Sequence, residues 1–384
     1  HREFPSEAVD AEVIAELANL TAALGWSMQP GRDLAVDLLR PLARGWYETS
    51  AYSEVLAWSA RLLAATIDDE PKRHLVAAEL SVLTAFAGSV SMLGPAAEAW
   101  AAAERTGDRY LLSRACRSFS VGANFGDPAS LAHMEAGVAA ARAIGDQFGV
   151  FELTSSLATA YISAGRVDLA IEALDTCASL ASWSHPIKTL HRALRGFVGY
   201  YTGDRRATLD AALAERPGTL PAHAYLAMLG TITALAVGDH AAVEQFRRRV
   251  LDLPALGTPG VARSTALAAI AVYLDEPDAD DSLEFMFSGV RLGAASMMFG
   301  LLIAAWRVSR TRDDDLRRRV LELLATAPGD VPIVVITTGL IRLLADPSAD
   351  RWETAHDVLR RASGSGLRLF YELPLEYIAE IELE

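Results

Sequence analysis

The side chains that could carry out chemistry in this sequence are few and widely spaced. His185 and His191 lie six residues apart with no third ligand nearby, which is a poor spacing for zinc. The acidic loop 275–281 lacks the glycine that an EF-hand calcium loop needs at its sixth position. We expect its carboxylates to stabilise the N-terminus of the helix that follows, through the helix dipole. The sequence therefore predicts no metal site.

Motifs for catalysis and nucleotide binding are also missing. The sequence contains no GxxxxGK[ST] phosphate loop, no HExxH, no GxSxG elbow and no GxGxxG after a strand. Cys116 and Cys177 have no ligand spacing, and two cysteines in 384 residues imply no disulfide framework, which favours a cytoplasmic protein. We therefore expect no catalytic residue and no cofactor, and an α-helical enzyme is the least favoured alternative.

The charge balance argues against nucleic acid as a direct partner. Acidic residues outnumber basic ones by 49 to 35, and a net charge of −14 would repel a phosphate backbone. The arginine triplets 247–249 and 317–319 are each preceded by acidic residues one helical turn earlier. Ion-paired, solvated helix faces are therefore the expected structure of both triplets.

Two sets of side chains could bind a ligand without reacting with it. A small polar set comprises Ser120, Asn124, Glu152, Ser155 and Thr159, and a mostly aromatic set comprises Phe197, Tyr200, Tyr201, Tyr225 and Met228. A polar wall beside an aromatic cluster suits a site that orients a small molecule or a peptide. Aromatic residues at helical spacing can equally form the core between two helices, and the sequence leaves both interpretations open.

Repeated helical hairpins are the elements that would position these side chains. Glycine turn signals recur at Gly94, Gly126, Gly165, Gly203 and Gly238, at spacings of 32 to 39 residues. Each is followed by an alanine-rich stretch of helical period. A recurring unit of this length indicates a stack of two-helix repeats, in which the first helix of each hairpin lines the concave surface.

The clearest unit is residues 157–177. Ala158 and Ala170 occupy positions where two antiparallel helices would touch, Tyr161 fills the gap between them, and Gly165 makes the turn. This pattern resembles the signature of the tetratricopeptide repeat (TPR). The sequence therefore predicts an all-α superhelical solenoid of degenerate TPR-like antiparallel helix hairpins.

Weaker hairpins are expected outside the glycine-marked units, at residues 32–67, 296–327 and 331–363. Residues 331–338 are rich in β-branched side chains but should begin a helix, because a lone strand would have nothing to pair with. Residues 217–238 carry no Asp, Glu, Lys or Arg, but Pro, Gly, His and Thr interrupt them, so we expect a buried solenoid helix and no membrane span.

We divide the chain at its most Gly/Pro-rich break, residues 253–260, where the superhelix could change direction. Three regions follow from this division: a linker helix at 1–30, N-terminal repeats at 31–252 and C-terminal repeats at 261–384.

Residues 12–26 carry a resemblance to a known family. They match the pattern Glu-x-x-Asn-Leu-x-Ala-Ala-Leu-x-Trp from Glu16 to Trp26. The stretch is similar to the one that joins the ATPase module to the helical-repeat sensor in bacterial STAND ATPase regulators of AfsR, MalT and LuxR type. The resemblance implies a nucleotide-binding switch before this sequence and a DNA-binding output domain after it.

Together these observations predict a sensing domain of a multidomain bacterial transcriptional regulator. It would bind a small-molecule effector or a regulatory protein in the concave groove of the repeats, and it would contact neither nucleic acid nor membrane. The alternative is a TPR scaffold that docks a protein partner and has no small-molecule inducer.

Overall fold

The computed structural model describes residues 12–28, 35–49, 51–89, 91–120, 127–180, 185–214, 221–289, 294–327 and 331–383. Within these ranges the regular structure is entirely helical and no strand occurs. The prediction of an all-α fold is therefore confirmed. The two predictions that rest on Asn124 and Gly126 lie outside the described residues.

The helices of the N-terminal half are α1 (Leu17–Ser27), α2 (Ala35–Thr49), α3 (Tyr52–Ala65), α4 (Glu70–Phe86), α5 (Leu93–Thr106), α6 (Arg109–Ala115), the 3-10 helix η1 (Cys116–Ser118), α7 (Pro128–Ala143), α8 (Gln147–Ser163), α9 (Val167–Leu180) and α10 (His185–Tyr201). Those of the C-terminal half are α11 (Arg205–Ala214), α12 (Pro221–Val237), α13 (His240–Leu251), α14 (Gly257–Tyr273), α15 (Ala279–Gly289), α16 (Ala294–Thr311), α17 (Asp314–Leu324), α18 (Pro332–Ala345), α19 (Arg351–Ser365), the 3-10 helix η2 (Arg368–Tyr371) and α20 (Glu372–Leu383).

The helices pack as stacked hairpins. From α8 onward each even-numbered helix packs on the odd-numbered helix that follows it, and it also contacts the next even-numbered helix. The even-numbered helices α4 to α18 are thus the first helices of successive hairpins, and we call them the first-helix layer. The odd-numbered second helices pack against this layer, which is the arrangement expected when each repeat buries its apolar face on its neighbours.

A left-handed backbone residue marks the turn of five successive hairpins. Its φ is +69° at Gly165, +80° at Gly203, +72° at Gly238, +56° at Asp275 and +57° at Arg312. The predicted glycine turns at 165, 203 and 238 are confirmed, because each lies between two paired helices. The same turn continues at 275 and 312 without glycine, and the turn at 312 lies within the hairpin expected at residues 296–327.

The first predicted turn, at Gly94, lies a few residues before that glycine. Gly94 is already inside α5, so the α4–α5 turn precedes it, and Gly88 at φ +88° is the left-handed residue there. Gly107 and Gly145, also left-handed, end α5 and follow α7. These two glycines join one hairpin to the next, and a search for turns within hairpins did not single them out.

The packing of residues 157–177 agrees with the repeat signature. Ala158 on α8 and Ala170 on α9 are completely buried, and Tyr161 is 8% exposed. The hydroxyl of Tyr161 donates a 2.6 Å hydrogen bond to Glu135 on α7. Small residues therefore allow the close approach of α8 and α9, while the tyrosine ring fills the space that remains.

Two doubtful segments are helical as expected. The β-branched residues from 332 onward form α18, whose N-terminus begins at a proline. Residues 221–237 form α12, and in the described part of the chain no helix is long and apolar enough to cross a membrane. Part of the Gly/Pro-rich break belongs to α14, which begins at Gly257, so that the connection from α13 is residues 252–256. Helices α12 and α14, on either side of α13 and this connection in the sequence, pack on each other.

Several of the acidic residues are aspartates that cap the N-termini of helices. The side chain of an aspartate at the N-cap accepts a backbone N–H from the first turn at Asp69, Asp108, Asp127, Asp146, Asp239, Asp313 and Asp350. Such caps satisfy donors that the helix itself leaves unpaired. In the loop 275–281, Asp280 and Asp281 lie in the first turn of α15, as expected.

The ion pairs that the acidic neighbours predicted form at Arg247, Arg317 and Arg318. Arg247 pairs with Glu244 and Glu276, whereas Arg249 donates to the carbonyl oxygens of residues 212 and 213 at the end of α11. The second triplet pairs with Asp314, Asp315 and Glu284. Both triplets therefore stabilise helix surfaces.

The array also makes a contact between hairpins that are far apart in sequence. Helix α18 touches α8, and η2 touches α10. The turn glycine Gly165 lies so close to the C-terminal hairpins that an added Cβ would come within 2.7 Å of the Ser365 Cβ. The C-terminal hairpins are thus folded against the middle of the chain.

Candidate functional site

The predicted binding residues lie on three neighbouring members of the first-helix layer. Helix α8 carries Glu152, Ser155 and Thr159, α10 carries the aromatic residues, and α12 carries Tyr225 and Met228. Ser120 follows η1. The three helices contact one another in sequence, so the polar and aromatic sets lie on neighbouring helices.

The polar set borders a network of four charged side chains. Arg114 on α6 donates from Nε and Nη2 to the two carboxylate oxygens of Glu79 on α4, at 3.0 and 2.9 Å. Tyr110 adds a 3.1 Å hydrogen bond to Glu79. Arg117 in η1 donates to Glu152 on α8. The network thus joins three successive members of the first-helix layer.

Weaker contacts connect the two pairs into one network. Arg114 Nη1 lies 3.6 Å from Glu152 Oε2, and Arg117 Nη1 lies 3.8 Å from Glu79 Oε2. Burial disfavours the charged form of Arg114, but the carboxylates of Glu79 and Glu152 outweigh this and raise its pKa. The guanidinium stays protonated, and two positive charges face two negative ones in the interior.

Exposure increases steadily across the network. The side chain is 4% exposed at Glu79, 6% at Arg114, 11% at Arg117 and 24% at Glu152. At the more open end, Arg117 Nε and Glu152 Oε2 are buried atoms without a hydrogen bond. Buried polar groups in proteins are nearly always hydrogen-bonded, so the Arg117–Glu152 end has hydrogen-bonding capacity that the fold does not use.

The two cysteines near this network are not poised to react. Burial raises the pKa of Cys116 to about 12 and that of Cys177 to about 11. Both thiols are therefore protonated at neutral pH, and the thiolate is the reactive form. Cys116 donates to the Ser113 carbonyl, and Cys177 lies 3.5 Å from Ser155 Oγ.

The other polar candidates differ in accessibility. Ser155 is buried against Cys177, whereas Ser120, Glu152 and Thr159 are half-buried. The Thr159 hydroxyl donates a 2.8 Å hydrogen bond to the Ser156 carbonyl oxygen within α8. Three members of the polar set therefore retain surface that a ligand could reach.

The aromatic candidates pack against the C-terminal part of the chain. Tyr200 and Tyr201 are 6% and 1% exposed. The Tyr200 ring centroid lies 5.9 Å from that of Phe299 on α16, and the Tyr201 centroid lies 6.3 Å from that of Phe370 in η2. Burial raises the pKa of both tyrosines. This packing favours the core interpretation of the two residues that the sequence left open.

The remaining members of the aromatic set are split between core and surface. Met228 is fully buried, whereas Phe197 and Tyr225 are half-buried and pack against the main core. The Phe197 ring lies 4.9 Å from the Tyr201 ring. Their assignment to a ligand site stays a prediction.

An aromatic cluster that the sequence did not single out flanks Ser120. Phe119 stacks on His133 with ring centroids 4.3 Å apart, and the edge of Trp100 meets both rings. The cluster lies between α5, the end of η1 and α7. Phe119, two residues after Arg117, is thus packed on His133 of α7.

Sequence reasoning identified Glu152 but missed Glu79, Arg114 and Arg117. The signal was present, because Arg114 follows Glu79 by 35 residues and Glu152 follows Arg117 by 35. In both pairs the opposite charges lie one repeat apart on adjacent hairpins, so a comparison of positions one repeat apart would have paired them. His191, which has a poor spacing for a zinc ligand, is half-buried and hydrogen-bonded to the Leu174 carbonyl oxygen.

No cluster of three or more metal-ligating side chains occurs within the described ranges. No family model, curated protein or solved structure matches this chain.

Proposed function

We propose that this chain is a regulatory binding module that recognises an effector or a regulatory protein at the Arg117–Glu152 end of its charged network. The observation that carries the proposal is the pair of buried atoms without hydrogen bonds, Arg117 Nε and Glu152 Oε2, at the partly exposed end of the network. Both atoms are themselves buried, so a ligand reaches them only if the partly exposed Glu152 side chain turns outward. The ligand would then supply an acceptor to Arg117 Nε and a donor to Glu152 Oε2, in two charge-assisted hydrogen bonds.

The surroundings of this pair support binding without chemistry. Ser120 and Thr159 are half-buried and supply hydroxyl groups, and the neighbouring cysteines are protonated. A few convergent polar groups in a largely apolar surrounding are typical of sites that orient a ligand. The chemical class that fits is a small zwitterion or a peptide end, which carries both an acceptor and a donor.

The resemblance of residues 12–26 supplies the biological context of the proposal. In regulators of AfsR, MalT and LuxR type, such a module would lie between an ATPase switch and a DNA-binding domain, and both would be outside residues 1–384. Sensing then requires the ligand to bind the resting and active states with different affinity. The four-residue network offers a means, because a ligand at Glu152 would change how α6 and α8 are joined.

A thermal-shift screen of the purified chain against metabolites and nucleotides tests the proposal. A ligand at 100 times its dissociation constant should stabilise the chain by about 2.7 kcal/mol. The variant Glu152→Gln should remove the shift. Glu284→Gln is the matched control, because Glu284 also pairs with an arginine 35 residues away, but at an exposed position. A shift that survives Glu152→Gln would contradict the site.

The second candidate function is a scaffold that docks a protein segment and has no small-molecule inducer. It is favoured by the stack of first helices, which offers a long surface to an extended partner. A screen without hits, followed by capture of a protein whose interface buries about 1,200–2,000 Å² and whose binding survives Glu152→Gln, would support the scaffold and contradict the Arg117–Glu152 site.

A further inference from the structure

The C-terminal 3-10 helix η2 lies against the turn between α10 and α11. A Cβ added at Gly203 would lie 3.4 Å from the Arg368 Cβ, which places the two backbones in close contact. Gly366, with φ +71°, brings the chain near Val167 in the same way. The segment that leads into η2 is thus laid across the turns of two hairpins in the middle of the array.

One aromatic side chain and one carboxylate hold this segment. Phe370 is 5% exposed and packs its ring near Tyr201. Two residues later, Glu372 pairs with Arg205 at the start of α11. Phe370 thus supplies the apolar anchor against Tyr201, and Glu372 supplies the charge against Arg205. The ring of Phe299 packs in turn on Tyr201, with ring centroids 6.2 Å apart.

The contact has the features of a separable interface. It joins residues 167 positions apart in an array whose other contacts are mostly between neighbouring hairpins, so its loss would leave those contacts in place. Its rim is only partly packed, with a cavity of about 420 Å³ lined by residues 202–205, Arg368, Leu369 and Glu372. The Arg205 and Glu372 side chains are 33% and 61% exposed, so water and salt reach the ion pair.

We propose that Tyr201, supported by Phe299, and Arg205 form a docking site for a short segment with an aromatic anchor followed two residues later by a carboxylate. The chain's own segment, with Phe370 and Glu372, occupies the site in cis. A partner that carries the same pattern competes with it and displaces η2. This site is separate from the Arg117–Glu152 site and does not depend on the function proposed there.

Peptide binding to the full chain tests the proposal. The probe is a fluorescein-labelled peptide of residues 366–378, and the receptor is the full chain with Phe370→Ala, which weakens the cis occupant. Because a site that is mostly occupied in cis has a reduced apparent affinity, the Phe370→Ala chain should bind the peptide about tenfold more tightly than the wild-type chain. Adding Arg205→Gln to the receptor should reverse most of this gain.

Two variant peptides distinguish specific docking from non-specific binding. A peptide with Phe370→Ala should not bind, and a peptide with Glu372→Gln should bind more weakly and with less dependence on salt. The additional variant Glu152→Gln should leave peptide binding unchanged, so that failure of the effector site and failure of this site are distinguishable.

The proposal is wrong if the Phe370→Ala chain keeps its helical circular dichroism and binds the peptide no more tightly than the wild-type chain does. Should that variant lose helix, Phe370→Leu replaces it, because leucine keeps an apolar side chain at the anchor and removes only the ring. The same comparison of affinities then decides.

Discussion

Glu79 accepts two hydrogen bonds from Arg114 at 3.0 and 2.9 Å, with both side chains almost completely buried one repeat apart. A buried charge that loses its partner keeps its desolvation cost without compensation. The pair therefore makes the contact between α4 and α6 sensitive to single substitutions.

We expect Glu79→Gln to destabilise the chain by about 3–5 kcal/mol, because it leaves the Arg114 charge buried without its carboxylate. Urea denaturation measures the change. The double variant Glu79→Met, Arg114→Met should recover most of the loss, since an apolar pair of similar volume often replaces a buried ion pair at little cost. Equal destabilisation by the single and double variants would contradict the role of charge.

The turn at Gly165 provides a test of the long-range contact. We expect Gly165→Ala to cost about 1–2 kcal/mol for the left-handed backbone and a further 1–3 kcal/mol for the clash with Ser365. Gly238→Ala is the control, because Gly238 has the same φ and nothing within 4 Å of an added Cβ. Equal melting temperatures for the two variants would contradict a close contact in solution.

Substitutions of Tyr201 test whether its side chain belongs to the core or to a ligand site. Truncation to Ala should cost about 3–5 kcal/mol, because the ring is buried beside Phe370, whereas Tyr201→Phe should change the stability by at most about 1 kcal/mol. Thermal unfolding followed by circular dichroism measures both. A Tyr201→Ala chain that keeps its stability but loses an effector-induced shift would instead place the tyrosine in the binding site.

His223 should make stability depend on pH. Burial lowers its pKa from 6.5 to about 4, so between these values the unfolded chain binds a proton that the folded chain does not. His223 therefore does not lower the free energy of unfolding above pH 6.5. As the pH falls towards 4, protonation of His223 in the unfolded chain lowers the free energy of unfolding by about 3 kcal/mol in total.

Urea denaturation at pH 7 and pH 5 measures the effect of His223. The variant His223→Gln should show a loss of stability between the two pH values that is smaller by about 2 kcal/mol than that of the wild-type chain. His240→Gln, at an exposed position, should behave like the wild-type chain. An unchanged loss in His223→Gln would contradict the lowered pKa.

The hairpin array was readable from the sequence because glycine is the residue that most readily adopts positive φ. The turns at Gly165, Gly203 and Gly238 were found in this way. The equivalent turns at Asp275 and Arg312 have the same left-handed backbone conformation but no glycine, so a search for glycine could not find them.

The candidate site was only partly readable. Glu152 was identified as a polar residue on a first helix, but its partner Arg117 lies on the preceding hairpin, and local periodicity does not show such pairs. Tyr201 has the helical spacing of either a core or a groove residue. Its neighbour Phe370 lies near the C-terminal end of the chain, and no pattern in the sequence around Tyr201 predicts that contact.

The separation of 167 residues between Arg205 and Glu372 has a consequence for synthesis on the ribosome. At about 5–20 residues per second, helix α10 emerges roughly ten to thirty seconds before η2 exists. During that interval Tyr200 and Tyr201 lack part of the surface that later covers them. The nascent chain thus exposes an aromatic patch that chaperones can recognise, and completion of the last helices ends that exposure.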